Sequence, residues 1–180
     1  MIVKQDPEMT LQIARVAMKL GDDVSTDAIY PGRFMATVLP SETPQYAFAD
    51  YPEFRALVQE GPLPPGNAVV AGSNFGCGSS REQAASTLRG HNLTVVARSF
   101  ARIFLQNAVN LGLRVVTCSA IEASAGDDLE IARDSIVNRT SGKRFAIQPL
   151  PLARQAIMEA GGLIPYTRKR LLERGRPPGA

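Results

Sequence analysis

The chain has 180 residues, 44% of them hydrophobic and 21% charged, which is enough for one buried core and too well mixed for a disordered, collagen-like or disulfide-scaffold protein. Its formal charge is +3, but the segment 168–176 holds five basic residues and one acidic residue, so the rest balances 15 basic against 16 acidic ones. That balance excludes a nucleic-acid-binding body, whose positive charge has to be spread over a docking face. No apolar run approaches the roughly 20 residues of a membrane helix. The opening MIVKQDPEMT lacks the basic-then-apolar order of a secretory signal, so no membrane association is expected and the cytoplasm is the expected location.

In chain order, the alternating apolar positions from Leu11 to Leu20 predict a strand that ends at Gly21-Asp22-Asp23. Residues 22–32 are dense in turn formers and read as a shaped loop. Residues 33–65 are rich in proline and irregular, with a helix predicted only over 51–60. From residue 67 the pattern sharpens into a strand over 68–71, a helix over 81–89, a strand over 93–97, a helix capped by Ser99 and running to Asn110, and a strand over 113–117. This β-α-β-α-β order calls for parallel strands within an α/β fold. Short hairpin-like strands follow around 129–131, 135–137 and 144–147, then a helix over 151–160 and a basic C-terminal arm. We divide the chain into a body, 1–166, and that arm, 167–180.

The densest signal lies between the first strand and first helix of the parallel unit, at Gly72-Ser73-Asn74-Phe75-Gly76-Cys77-Gly78-Ser79-Ser80-Arg81-Glu82. Open α/β sheets bind ligands outside the carboxyl ends of their strands. Glycines there let the backbone approach a ligand closely, and the helix start favours an anion. Arg81 adds a fork that fits a carboxylate or phosphate, with the Ser79 and Ser80 hydroxyls beside it. On spacing alone the same residues serve equally as an N-cap serine and turn glycines. The stretch is neither a Walker loop, a dinucleotide fingerprint nor a hydrolase elbow. His91, the one histidine, is expected as a surface turn residue, which leaves no partner for a serine nucleophile. Cys77 and Cys118 stand far apart, so no metal site or iron–sulfur cluster is expected from this chain.

Residues 72–84 closely resemble the signature of the swivelling domain of the aconitase superfamily, and in particular the separate small subunits of 3-isopropylmalate dehydratases. Ser25-Thr26-Asp27-Ala28-Ile29-Tyr30-Pro31-Gly32 is similar to the family's early TDxIxPG loop. Residues 97–104, with Asn107, Asn110 and Gly112-Leu113, are similar to its ARSFARIFxxNxxNxGL helix. The three stretches span residues 21–117 in the family's order.

The resemblance implies a single swivelling β/β/α domain of the aconitase C-terminal type. It also implies a hydro-lyase that moves a hydroxyl between adjacent carbons of a hydroxy diacid, with 2- to 3-isopropylmalate conversion in leucine biosynthesis as the principal expectation. A separate large subunit is implied as the partner, carrying a [4Fe-4S] cluster that this chain does not bind. By motif position Ser79 is carried over as the catalytic base, with Ser80, Arg81, Asp27 and Thr26 as substrate-binding residues and Cys77 as a packing residue. Ser99, Arg102, Asn107 and Asn110 are assigned to architecture, and Phe100, Ile103 and Phe104 to the core. Arg33, Phe34, Met35, Ala36 and Thr37 occupy the segment where the family selects its substrate. The apolar set fits a branched alkyl group, while Arg33 could restore a charge. Dimethylmalate or homoaconitate dehydration, a non-catalytic anion-binding module, and self-association of the isolated chain stay open as alternatives.

Overall fold

The computed structural model describes residues 11–174. Strand β1 (Gln12–Lys19) leads into helix α1 (Thr26–Ile29), two 3-10 turns at Gly32–Phe34 and Thr43–Tyr46, and helix α2 (Pro52–Leu57). Strand β2 (Asn67–Ala71), helix α3 (Glu82–Gly90), strand β3 (Leu93–Ala97), helix α4 (Arg102–Leu111) and strand β4 (Arg114–Thr117) follow. Strands β5 (Asp128–Ile131), β6 (Ser135–Asn138) and β7 (Arg144–Ala146) precede helices α5 (Leu152–Glu159) and α6 (Leu163–Arg174). Helix α6 runs across residues 166 and 167, where the basic arm was divided from the body, and residues 175–180 of that arm lie outside the described residues.

Among the described residues, all seven strands join one sheet in the order β4-β3-β2-β1-β5-β6-β7. The expected parallel unit of β2, β3 and β4 is present, and β1 adds to it in parallel before the sheet turns antiparallel at β5. Strand β3 is buried along its whole length and β2 at four of five residues, which is why both read as continuous apolar runs. Val69, Ala71, Val95, Ala97 and Val115 face the helices and pack with Leu88, Phe104, Ala108 and Val109. Ala68, Val70, Val96 and Val116 face the other way, onto Leu129, Ile131, Ile136 and Phe145 of the antiparallel ribbon. The sheet curls to bring these together: beyond β7, the Gln148 amide donates to the Thr117 carbonyl at the end of β4, at 2.8 Å.

Strand β1 serves both cores. Ala14 and Val16 point to the ribbon side and Met18 to the helix side, although a regular strand would keep all three on one face. The pairing with β2 slips between Val16 and Met18, and the extra residue rotates the following side chains to the opposite face.

Three local expectations are corrected. Helix α4 begins at Arg102, with Ala101 as its cap and no side-chain capping bond, because the Ser99 hydroxyl is already engaged by the Asn74 amide at 2.8 Å. Phe100 therefore lies ahead of the helix. The buried stripe of α4 is set by Phe104, Ala108 and Val109, and Ile103, one residue before that stripe, turns outward with 43% exposure. His91 is not a surface turn residue but is 2% exposed, because residues 43–65 fold over it. Its Nδ1 accepts from the Leu63 amide at 3.4 Å, its Nε2 meets the Pro44 carbonyl at 2.8 Å, and the Phe54 ring stands edge-on at 5.4 Å.

Candidate functional site

Because β1, β2 and β3 are parallel neighbours, the segments that follow them emerge at one edge of the sheet. These segments are residues 20–32, 72–81 and 98–101, and backbone hydrogen bonds stitch them together. The Asp23 amide donates to the Ser73 carbonyl at 2.9 Å, Gly76 to Val24 at 2.7 Å, and Thr26 to Cys77 at 2.8 Å. On the other flank Phe75 donates to Ser99 at 3.0 Å and Ala101 to Phe75 at 2.9 Å. The glycine-rich loop thus forms the middle strip of a three-loop sheet, which fixes Ser79 and Ser80 at its end.

Gly76 makes this approach possible. Its φ is +81°, and a Cβ built on it would lie 2.2 Å from Cγ of the buried Phe104. Only a residue without a side chain lets the loop press onto α4 in this backbone region.

Helix α1 is a single turn capped by Ser25, whose hydroxyl accepts from the Ala28 amide at 3.0 Å. It presents two expected site residues in opposite ways. Thr26 is 2% exposed, and its hydroxyl lies 3.1 Å from the Ser79 carbonyl and 3.3 Å from Ser79 Oγ, behind the serine and away from the open face. Asp27 is exposed and forms an ion pair with Arg81 Nη1. The same carboxylate oxygen accepts from the Gly32 amide at 2.9 Å. The Arg81 bond, followed by the Gly32 amide, holds the Asp27 carboxyl below its ordinary pKa. Arg81 Nη1 also donates to the Tyr30 carbonyl at 3.2 Å, so the guanidinium is oriented from two sides.

Ser79 and Ser80 are both exposed, and neither caps α3, whose cap residue is Arg81 with no side-chain capping bond. Their hydroxyls are not consumed in holding the helix. Asn107 of α4 donates to the Ser80 carbonyl at 3.3 Å, giving one of the residues assigned to architecture a direct hold on the site. Arg102, placed in the same architectural group, is exposed.

The segment 33–37, expected to set specificity, begins beside the Arg81–Asp27 pair. A Cβ on Gly32 would lie 3.2 Å from Asp27 Oδ1 and 3.3 Å from Arg81 Nη2. Arg33 makes a two-pronged contact with Asp50, at 2.9 and 2.5 Å, and its guanidinium lies 4.7 Å from the centre of the Phe34 ring. Phe34 stacks on Tyr46 at 4.2 Å, while Met35 and Ala36 are exposed. The buried Tyr30 hydroxyl lies 3.1 Å from the carbonyls of both Phe34 and Thr37, bracing the segment from within. Neither Tyr30 nor Asp50 stood out in the sequence. Tyr30 sat between two apolar motif positions, and Asp50 carried no local signal at all.

The thiols do not suit an iron–sulfur cluster. Cys77 Sγ donates to the Asp23 carbonyl at 3.3 Å, whereas Cys118 is buried in the ribbon-side core, where desolvation raises its thiol pKa. Among the described residues no three cysteine, histidine or carboxylate side chains converge as a metal site would require. No helix among them is long and apolar enough to cross a membrane.

Residues 62–120 match the family described as "Aconitase C-terminal domain". The chain is 45% identical over 163 residues to a 3-isopropylmalate dehydratase small subunit of Methanosarcina mazei, covering 88% of this chain and 98% of the relative. It is 43% identical over 162 residues to an isopropylmalate/citramalate isomerase small subunit of Methanocaldococcus jannaschii, covering 86% and 93%. A crystal structure of 3-isopropylmalate dehydratase from the latter organism superposes with a TM-score of 0.82 at 37% identity, covering 91% of this chain and 97% of that one.

Proposed function

The chain belongs to the family of 3-isopropylmalate dehydratase small subunits, and from that membership we propose that it supplies the proton-transfer and carboxylate-binding half of a site that interconverts 2- and 3-isopropylmalate. As a small subunit it is a component of a hydro-lyase complex. The reaction removes a proton from the carbon next to the one bearing the hydroxyl, releases that hydroxyl as hydroxide, and returns both with the two positions exchanged. Ser79 Oγ takes the proton alpha to a carboxylate and returns it to the neighbouring carbon. Arg81, with the Ser80 hydroxyl, binds the carboxylate whose charge grows as that proton leaves. Asp27 orients Arg81 and leaves its remaining donors free for substrate.

The observation that carries this reading is the clustering of Arg81, fixed by Asp27 and the Tyr30 carbonyl, with two exposed serine hydroxyls that cap no helix, at the carboxyl ends of parallel strands. We place the complementary half of the site, including a [4Fe-4S] cluster, in a large subunit, and the complex in the cytoplasm as part of leucine biosynthesis. When bound there, the cluster supplies the Lewis acid that makes hydroxide a tolerable leaving group. Residues 33–37 line the pocket for the variable alkyl group.

The test is turnover by the reconstituted two-subunit enzyme against 3-isopropylmalate, citramalate, dimethylmalate and homoaconitate. Wild type should prefer an alkyl malate, and Ser79→Ala should lower kcat at least about a thousandfold with folding intact. Full activity in Ser79→Ala with a dead Ser80→Ala would move the base by one residue, and failure to form an active complex with any large subunit would sink the enzyme reading.

A further inference from the structure

The Thr26 side chain, which hydrogen-bonds Ser79 from inside the protein, is unaccounted for by carboxylate binding. Thr26 is 2% exposed, so its hydroxyl is closed off from a substrate arriving on the open face. Its backbone is already committed, with the amide donating to the Cys77 carbonyl at 2.8 Å and the carbonyl accepting from the Tyr30 amide at 2.9 Å. The hydroxyl is left with one proton and two acceptors of the same residue, the Ser79 carbonyl at 3.1 Å and Ser79 Oγ at 3.3 Å. A hydroxyl hydrogen turns about its C–O bond without moving any heavy atom.

We infer that Thr26 is the positioning residue of the serine base, a buried hydroxyl that turns its hydrogen bond from the Ser79 carbonyl to Ser79 Oγ when that oxygen is in its anionic, proton-accepting form. The inference rests on Ser79 being the base. With Ser79 neutral, its carbonyl is the nearer acceptor, and Ser79 Oγ–H is free to donate elsewhere. Once Oγ is ionised it becomes much the stronger acceptor, since charge-assisted hydrogen bonds are roughly twice as strong as neutral ones. The donor is in place beforehand, because α1, the Ser25 cap and the Cys77 carbonyl hold Thr26 rigidly. Preorganised donors of this kind stabilise developing negative charge without reorganisation at the moment of reaction. A threonine is also well chosen for the place. Its methyl group fills the buried volume and its branched Cβ restricts χ1, which keeps the oxygen aimed at Ser79.

The experiment compares Thr26→Val, Thr26→Ser and Ser79→Ala in the assembled two-subunit enzyme, with thermal melting of each. Valine removes the hydroxyl at nearly constant volume, and serine keeps it. Thr26→Val is expected to lower kcat about a hundred- to a thousandfold, the usual effect of losing one such donor, with KM within about threefold of wild type. Thr26→Ser is expected to recover kcat to within about fivefold of wild type. If Thr26→Val does not fold, Thr26→Ala carries the same expectation. The inference is overturned if the hydroxyl-free variant keeps kcat within about threefold of wild type while Ser79→Ala is inactive. It is equally overturned if Thr26→Ser is as impaired as valine, since packing would then be what matters. An active Ser79→Ala enzyme would instead remove the base assignment, and this role for Thr26 with it.

Discussion

Gly76→Ala tests whether the serine loop is held by close contact with α4. The added methyl meets two separate costs. At φ +81° an L-residue sits in the left-handed region, a conformation that costs about 1–2 kcal/mol. The new Cβ also falls 2.2 to 2.6 Å from three carbons of Phe104, inside any tolerable contact. Phe104 cannot swing away freely, because it is buried, meets Phe75 edge-on and stacks with Phe100, with ring centres at 5.2 and 6.2 Å. Overpacking of this kind costs about 1–3 kcal/mol, so the total is about 2–5 kcal/mol. For a domain of this size that corresponds to a melting temperature lower by about 4 to 20 °C. Gly142→Ala separates the two costs, since Gly142 has φ +75° but no heavy atom within 4 Å of an added Cβ. Equilibrium urea unfolding of the full chain, followed by circular dichroism, should show Gly76→Ala less stable than Gly142→Ala by the overpacking cost of about 1–3 kcal/mol. Equal stability of the two variants would refute the close packing of the loop on Phe104.

Two further outcomes follow from single side chains. Burial lowers the pKa of His91, and its Nδ1 accepts a hydrogen bond that a protonated ring could not, so the folded state keeps the ring neutral. As pH falls below about 6.5 the unfolded chain takes up a proton that the native chain refuses, so stability is lost toward acid through this group; His91→Gln should flatten the decline in melting temperature between pH 7 and 5, and an unchanged slope would count against it. Asp50→Asn should release Arg33 from its two-pronged contact and raise activity on homoaconitate relative to 3-isopropylmalate, with little change in melting temperature because the pair is exposed. An unchanged substrate ratio would show that Arg33 does not reach the substrate.

The meeting of the loops after β2 and β3 was legible from topology, whereas residues 20–32 join them in the sequence only through the family resemblance, since nothing local announces the pairing of β1 with β2. Apolar runs at 68–71 and 93–97 announce buried parallel strands, and whatever follows such strands emerges at one edge. What stayed hidden depended on contacts between loops. Ser99 looked like a helix cap because a serine before an apolar-periodic run usually is one, yet its hydroxyl is engaged by Asn74, 25 residues earlier. Thr26 reads as a substrate contact by its motif position beside Asp27, and only the one-turn helix shows that Asp27 is exposed while Thr26 is buried. His91 follows a helix-ending glycine, a setting that favours exposure, and nothing local reveals that residues 43–65 cover it. The slip in β1 was likewise silent, since Val16 and Met18 keep the alternation of a flat strand.

The exposure of the site bears on why this protein is a subunit. Ser79 and Ser80 lie open to solvent, yet a serine hydroxyl is a weak base whose anion water would protonate at once. The Thr26 hydroxyl lies 3.3 Å from Ser79 Oγ and Arg81 is fixed by Asp27, but in high dielectric a unit charge about 4 Å away contributes only about 1 kcal/mol, far less than in a water-excluded site. Orientation is therefore built into this chain, whereas the low-dielectric surroundings that give orientation its strength have to come from a surface that closes over it. A second subunit that brings both the covering surface and the group that releases hydroxide would switch on base and leaving-group activation together. An alkoxide would then form only where a substrate is already enclosed.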